Sequence, residues 1–199
     1  MSLSALISAG ESIHKIADYL DQLPADARLN ETMALGRAEQ SKLWTLAAQA
    51  APLTLDHFVP ASTADRTEVI HHGRNTLPVF TRFQKRFARP VDGSQRLFGY
   101  NEGATRPLIG PGCFVTVPTA GNEAWTERGA IVVDYFQVPD GPVPDAWPKV
   151  VTNSTGLQYL VYRHTRDFMR RVSSHVSIGH AWKDESEMTI AYFVLCREP

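Results

Sequence analysis

Between residues 96 and 139 the chain reads RLFGYN, then RPLIGPG, CFVTVPT and, after a polar break, GAIVVDYFQVP. Three runs rich in β-branched and aromatic residues, each closed by Gly, Pro or Asn, leave no room for a helix of ordinary length. They are expected as successive antiparallel strands. The rest of the chain must then extend that sheet or cover it.

The segment before it has helical spacing. Leu3, Leu6, Ile7, Ile13, Ala17 and Leu20 recur mostly at steps of three and four, which predicts an amphipathic helix weakened by Gly10 and ended by Leu23-Pro24. Asn30 is placed to cap a second helix running to about Ala50, stopped by Pro52. The two form a helical hairpin over residues 1–50, suited to packing or to a homodimer. A short helix is then expected from Asn75 or Thr76, with Pro78 in its first turn. Residues 85–90 and 96–101 should pair through a turn at Asp92-Gly93.

Beyond the central strands, PDGPVPDAWP carries four prolines and is expected as a surface loop. Thr155 caps a predicted long helix whose face is traced by Leu157, Leu160, Val161, His164, Phe168 and Val172. VSIGHAWK and MTIAYFVLCR, around the polar DESE, close the chain as a hairpin. The expected whole is one α+β domain, residues 1–199, with a helical appendage (1–50) and a core (66–199). That core is a curved antiparallel sheet of about five or six strands with one long helix on a face.

Charge and cysteine usage exclude several function classes. A formal net charge of −1 over 199 residues argues against a nucleic-acid binder, whose domains are usually strongly basic. Cys113 and Cys196 are too few for a disulfide framework or a CxxC-type zinc site. The N-terminus lacks the pattern of a signal peptide, and no run approaches 18 apolar residues, so a cytoplasmic protein with no membrane association is expected.

Candidate chemistry is dispersed. Between Arg74 and Arg106 seven basic residues face only Asp92 and Glu102, with Phe80, Phe83, Phe87, Phe98 and Tyr100 interleaved. Arginine forks suit carboxylates and phosphates, and aromatic neighbours can stack on a planar ligand. Arg74, Tyr100 and Arg106 are therefore ligand-binding candidates. His72 joins them, because adjacent His71 and His72 on a strand must point to opposite faces. The Gly/Pro-rich stretch 103–112 has neither the GxxxxGK[ST] nor the GxGxxG pattern of a nucleotide site. His164 lies on the apolar stripe of the predicted long helix, and Asp134 interrupts the apolar VVDYF run. Together they form a candidate catalytic acid/base pair.

His175, eleven residues beyond His164, would stand roughly 16 Å away on a continuous helix, so no metal site is expected, and no cofactor is legible. Arg163, Arg166, Arg170 and Arg171 make the opposite face of that helix basic, and Asp167 can pair with Arg163 or Arg171 at i±4 or with Arg170 at i+3. The leading functional expectation is a pocket between sheet and long helix holding a small, anionic organic ligand, with His-based chemistry. The rival is a homodimeric interaction module contacting a partner protein or nucleic acid through its basic faces. A nucleophilic Cys113 ranks third.

Overall fold

A computed structural model describes residues 1–184 and 189–198. It contains eight strands: β1 (Val69–Asn75), β2 (Arg82–Ala88), β3 (Leu97–Glu102), β4 (Phe114–Pro118), β5 (Ile131–Asp134), β6 (Thr165–Arg171), β7 (Val176–Lys183) and β8 (Thr189–Arg197). Each pairs antiparallel with the next, and β8 pairs back onto β1, so the sheet closes into an up-and-down barrel. This corrects the expected open sheet of fewer strands carrying one long helix. Closure joins residues more than a hundred positions apart, such as His72 and Cys196, and among the described residues leaves no unpaired sheet edge.

The second correction is the long helix itself. Residues 155–172 instead form a one-turn helix, α8 (Gln158–Val161), and then β6. Leu157, Leu160 and Val161 of the supposed apolar stripe are exposed. From Thr165 onward a period of two takes over: Thr165, Asp167 and Met169 face inward, while Arg166, Phe168 and Arg170 face out. β6 hydrogen-bonds to a strand on each side, so ladder pairing outweighs a weak helical pattern. The expected terminal pairing of β7 with β8 forms, and residues 185–188 lie outside the described residues.

Where a short helix is expected from Asn75 or Thr76, residues 76–81 instead form the hairpin loop between β1 and β2. Asn75 does not cap a helix there: its carbonyl oxygen accepts from Leu77 N (3.0 Å) and its amide donates to Phe80 O (3.2 Å). The expected Asp92-Gly93 turn does join β2 to β3, with Gly93 at φ 68°.

The N-terminal segment is not the expected hairpin of two helices but four, with Asn30 inside the third rather than at a cap: α1 (Leu3–Ala9), α2 (Ile13–Gln22), α3 (Ala25–Ala34) and α4 (Arg37–Leu46). Gly10, in the left-handed region at φ 73°, breaks the first pair, and the Ser12 hydroxyl caps α2 by accepting from Lys15 N. Their buried Leu3, Ile7, Ile16, Leu20 and Leu43 pack on the outward Val176, Ile178, Val194 and Cys196 of β7 and β8. The helices thus cover one outer wall of the barrel. Residues 138–150 cover another, where Phe98, Tyr100, Cys113, Val115 and Trp147 form a separate apolar cluster. Both cysteines are free and buried.

The interior is filled unevenly. At one end, Phe87, Leu97, Phe114, Ile131, Val133, Met169 and Leu195 pack against Leu53, Leu55, Phe58 and Val59. These last four belong to α5 (Leu55–Phe58) and its flanks, a plug in the barrel's lower mouth. Inward glycines sit directly opposite aromatic residues: Gly73 with Phe83, Gly99 with Phe114, Gly179 with Phe193. In each pair the ring lies over the glycine, and a Cβ at Gly73 would fall 2.6 Å from the Phe83 ring. Towards the other end the inward positions become small or polar: Asn75, Asn101, Gly103, Thr165, Ala181 and Ala191.

Candidate functional site

That change in side-chain size leaves the upper half hollow. A cavity of about 780 Å³ opens there. Its floor is the layer where the packed core ends, and its walls include Ala181 and Ala191, paired across β7 and β8. The mouth is framed by the β1–β2 loop, by α6 (Arg106–Ile109) and by α8. An eight-stranded barrel is just wide enough to be filled by its own side chains or to hold one small molecule.

The floor is polar and buried. Lys85 projects inward from β2 in register with Phe83 and Phe87, and its side chain is 2% exposed. Its ammonium pairs with Asp167 of β6 at 2.9 Å, donates to Asn101 Oδ1 of β3 at 3.1 Å, and donates to the Tyr135 hydroxyl just beyond β5. All three N–H bonds are used. The rings of Phe114, Tyr135 and Phe193 lie 5.0 Å from the nitrogen, within cation–π reach. Asn101 Nδ2 donates to the Tyr135 oxygen and to Gly112 O, both at 3.0 Å. Tyr135 also stacks on Tyr162 at 5.3 Å.

Burial dominates the protonation behaviour here. Desolvation lowers the Lys85 pKa, against the opposing pull of Asp167. Desolvation, reinforced by the Asp167 charge, raises Tyr135 well above the usual phenol value and Tyr162 to about 12. Both phenols are therefore neutral hydroxyls at pH 7.

At the plugged end, side chains hold the plug by its carbonyls. His71 Nε2 bonds Phe58 O (3.0 Å), Arg89 donates to Val59 O (2.8 Å), and Arg197 donates to His57 O (2.6 Å). Burial pushes His71 down to about 3 and His57 well below the ordinary histidine value. Both are neutral in the fold.

The residues singled out from sequence are scattered. His164 (φ 56°) is half-buried, hydrogen-bonded to Asp184 at 2.8 Å and stacked on Phe136. Asp134 faces outward on β5, where it accepts from Phe136 N and Gln137 and pairs with Arg166 at 3.3 Å. The two flank Phe136 without pairing. Arg74 donates to Met33 O under the N-terminal helices, His72 bonds Glu198 on the surface, and Tyr100 packs on Trp147 outside the barrel. Of the six, only Arg106 lines the cavity, bonded to Glu102 at 2.8 Å. His71 and His72 do point to opposite faces, one into the core and one to the surface.

Lys85, Asn101, Tyr135 and Asp167 were not singled out. The signal for Lys85 was present: in RFQKRFA it occupies the same alternate face as two phenylalanines. Asp167 carries no such signal, because the spacing of its segment predicts a helix.

The arginines of β2–β3 and those of β6 stand on opposite walls, three to four strands apart in a barrel of eight. Most are engaged: Arg86 with Glu68, Arg89 with Asp56, Arg96 with Asp92 and Asp140, Arg170 with Trp44 O and Glu127 O. Among the described residues no helix is long and apolar enough to cross a membrane, and no three His, Cys, Asp or Glu gather to hold a metal.

Fold and site together define an up-and-down barrel that is packed and plugged at one end and hollow at the other, with a buried ion pair between. No protein-family model, curated protein or solved structure matches the chain.

Proposed function

We propose that the chain binds a small organic molecule inside the upper half of the barrel. The observation that carries this reading is the cavity of about 780 Å³ ending on the buried Lys85–Asp167 pair. Small-molecule sites are typically 300–1,000 Å³, mostly apolar, with few convergent polar groups. Here the walls are Phe83, Ile109, Tyr162, Ala181, Ala191 and Phe193, and the polar groups converge at one end.

The ligand is mainly apolar with a hydrogen-bonding end directed at the floor. Four cations (Arg82, Lys85, Arg106, Lys183) and three carboxylates (Glu102, Asp167, Asp184) line the cavity, so the balance favours at most one negative charge. Leu77, Val79, Phe80, Leu160 and Val161 are exposed yet line the mouth, giving an apolar molecule a compatible entrance.

The test uses N-phenylnaphthylamine, a neutral apolar fluorophore. One saturable site is expected by fluorescence and calorimetry. Ala191→Trp, which fills the cavity from its wall, should weaken that site at least about tenfold. Absence of saturable binding, or equal affinity in Ala191→Trp, contradicts the reading.

A further inference from the structure

The geometry points to Lys85 as an imine-forming residue: the cavity takes an apolar aldehyde or ketone, and its carbonyl condenses with the Lys85 amine. This rests on the cavity reading above and adds a covalent chemistry to it.

Three observations carry it. A lysine placed among aromatic rings is an unusual choice for stability alone, since well-packed apolar residues commonly match or exceed a buried ion pair. The nitrogen also lies at the floor of an open cavity rather than in the packed core, so a carbonyl compound entering from the mouth arrives at it. Finally, its neighbours are those the reaction needs. Asp167, at 2.9 Å, can take and return a proton, and the Tyr135 hydroxyl can donate to the carbonyl oxygen. The lowered Lys85 pKa raises the fraction of free amine, as desolvated amine nucleophiles require.

The step balances without any further reactant. Asp167 accepts a proton from the ammonium, and the freed amine adds to the carbonyl carbon. The resulting carbinolamine loses its hydroxyl as water when the proton returns. The ammonium and carbonyl become a protonated imine and water; one C=O is replaced by C=N, and nothing is oxidised or reduced. The imine keeps the positive charge, so Asp167 keeps its counter-ion. Its single N–H still reaches Asp167, while Tyr135 and Asn101 remain hydrogen-bonded to each other at 3.0 Å. The site therefore tolerates the loss of two ammonium donors.

The experiment incubates the full chain with naphthaldehyde and cyanoborohydride, followed by intact mass measurement and peptide mapping. Naphthylmethanol, which lacks the carbonyl, is titrated in parallel. The expected product is a single adduct at Lys85, its mass that of the aldehyde less one oxygen. The cavity holds the aldehyde beside the amine, so labelling at Lys85 should outpace the surface Lys15, Lys42 and Lys149 by at least about tenfold. If the alcohol binds but adducts are absent or spread over the surface lysines, the imine inference is overturned while the cavity reading stands. If neither compound binds, both are overturned. Mapping the unmodified sequence keeps the test independent of whether a Lys85 variant folds.

Discussion

At the scale of single residues, the Lys85–Asp167 pair shows how a costly feature is held in place. The ammonium gives up bulk water for three oxygen partners and three close rings, so its charge is fully answered. Removing one partner is then worse than removing both. Lys85→Met should cost about 3–5 kcal/mol because it strands a buried carboxylate, whereas Lys85→Met with Asp167→Leu should recover most of the loss. Urea unfolding of both variants checks this, and a double variant as unstable as the single one would contradict it. Histidine burial has a different signature. His71 titrates near 6.5 when unfolded and at about 3 in the fold, so below pH 6.5 the unfolded chain binds a proton that the folded chain refuses. Stability should fall as pH drops from about 6.5 towards 3, by about 1.4 kcal/mol per pH unit for each such histidine. His71→Phe should flatten that acid limb by about one proton; an unchanged slope would argue against a neutral buried His71.

At the scale of elements, the plug decides which end of the barrel is closed. Phe58 is fully buried, with its ring tilted against those of Phe87 at 5.0 Å and His71 at 5.6 Å. Phe58→Ala should cost about 3–5 kcal/mol, measured by thermal or urea unfolding, with little change in ligand affinity because the cavity lies above the packed layer. A large loss of binding with no loss of stability would mean the two ends are not separate. Elements with a strong local signal were legible in the sequence. The strands at Phe98, Val115 and Val132, the β2–β3 turn at Gly93 and the terminal hairpin follow from β-branched runs and turn residues. The segment 155–171 was not, because Leu157, Leu160, His164 and Phe168 mimic a helical stripe that strand pairing on both sides overrides. That one misassignment also hid the site, for it turned Asp167 from an inward strand residue into a surface helix residue.

At the scale of the whole molecule, closure is the property that no local pattern encodes. The β1–β8 pairing seals the barrel, and only then do Lys85, Asn101, Tyr135 and Asp167, from four different strands and their ends, meet at one level. The apolar faces of the N-terminal helices are spent on the outer wall of β7 and β8, which leaves the cavity mouth uncovered by them. The division into a packed half and a hollow half is thus set by where bulky and small inward residues fall along all eight strands. The most direct test is a crystal of the protein soaked in bromonaphthalene and measured at the bromine edge. One anomalous peak is expected inside the barrel, between the Ala181–Ala191 wall and the Lys85 floor. An interior without bromine, in crystals that have taken it up elsewhere, would contradict the account.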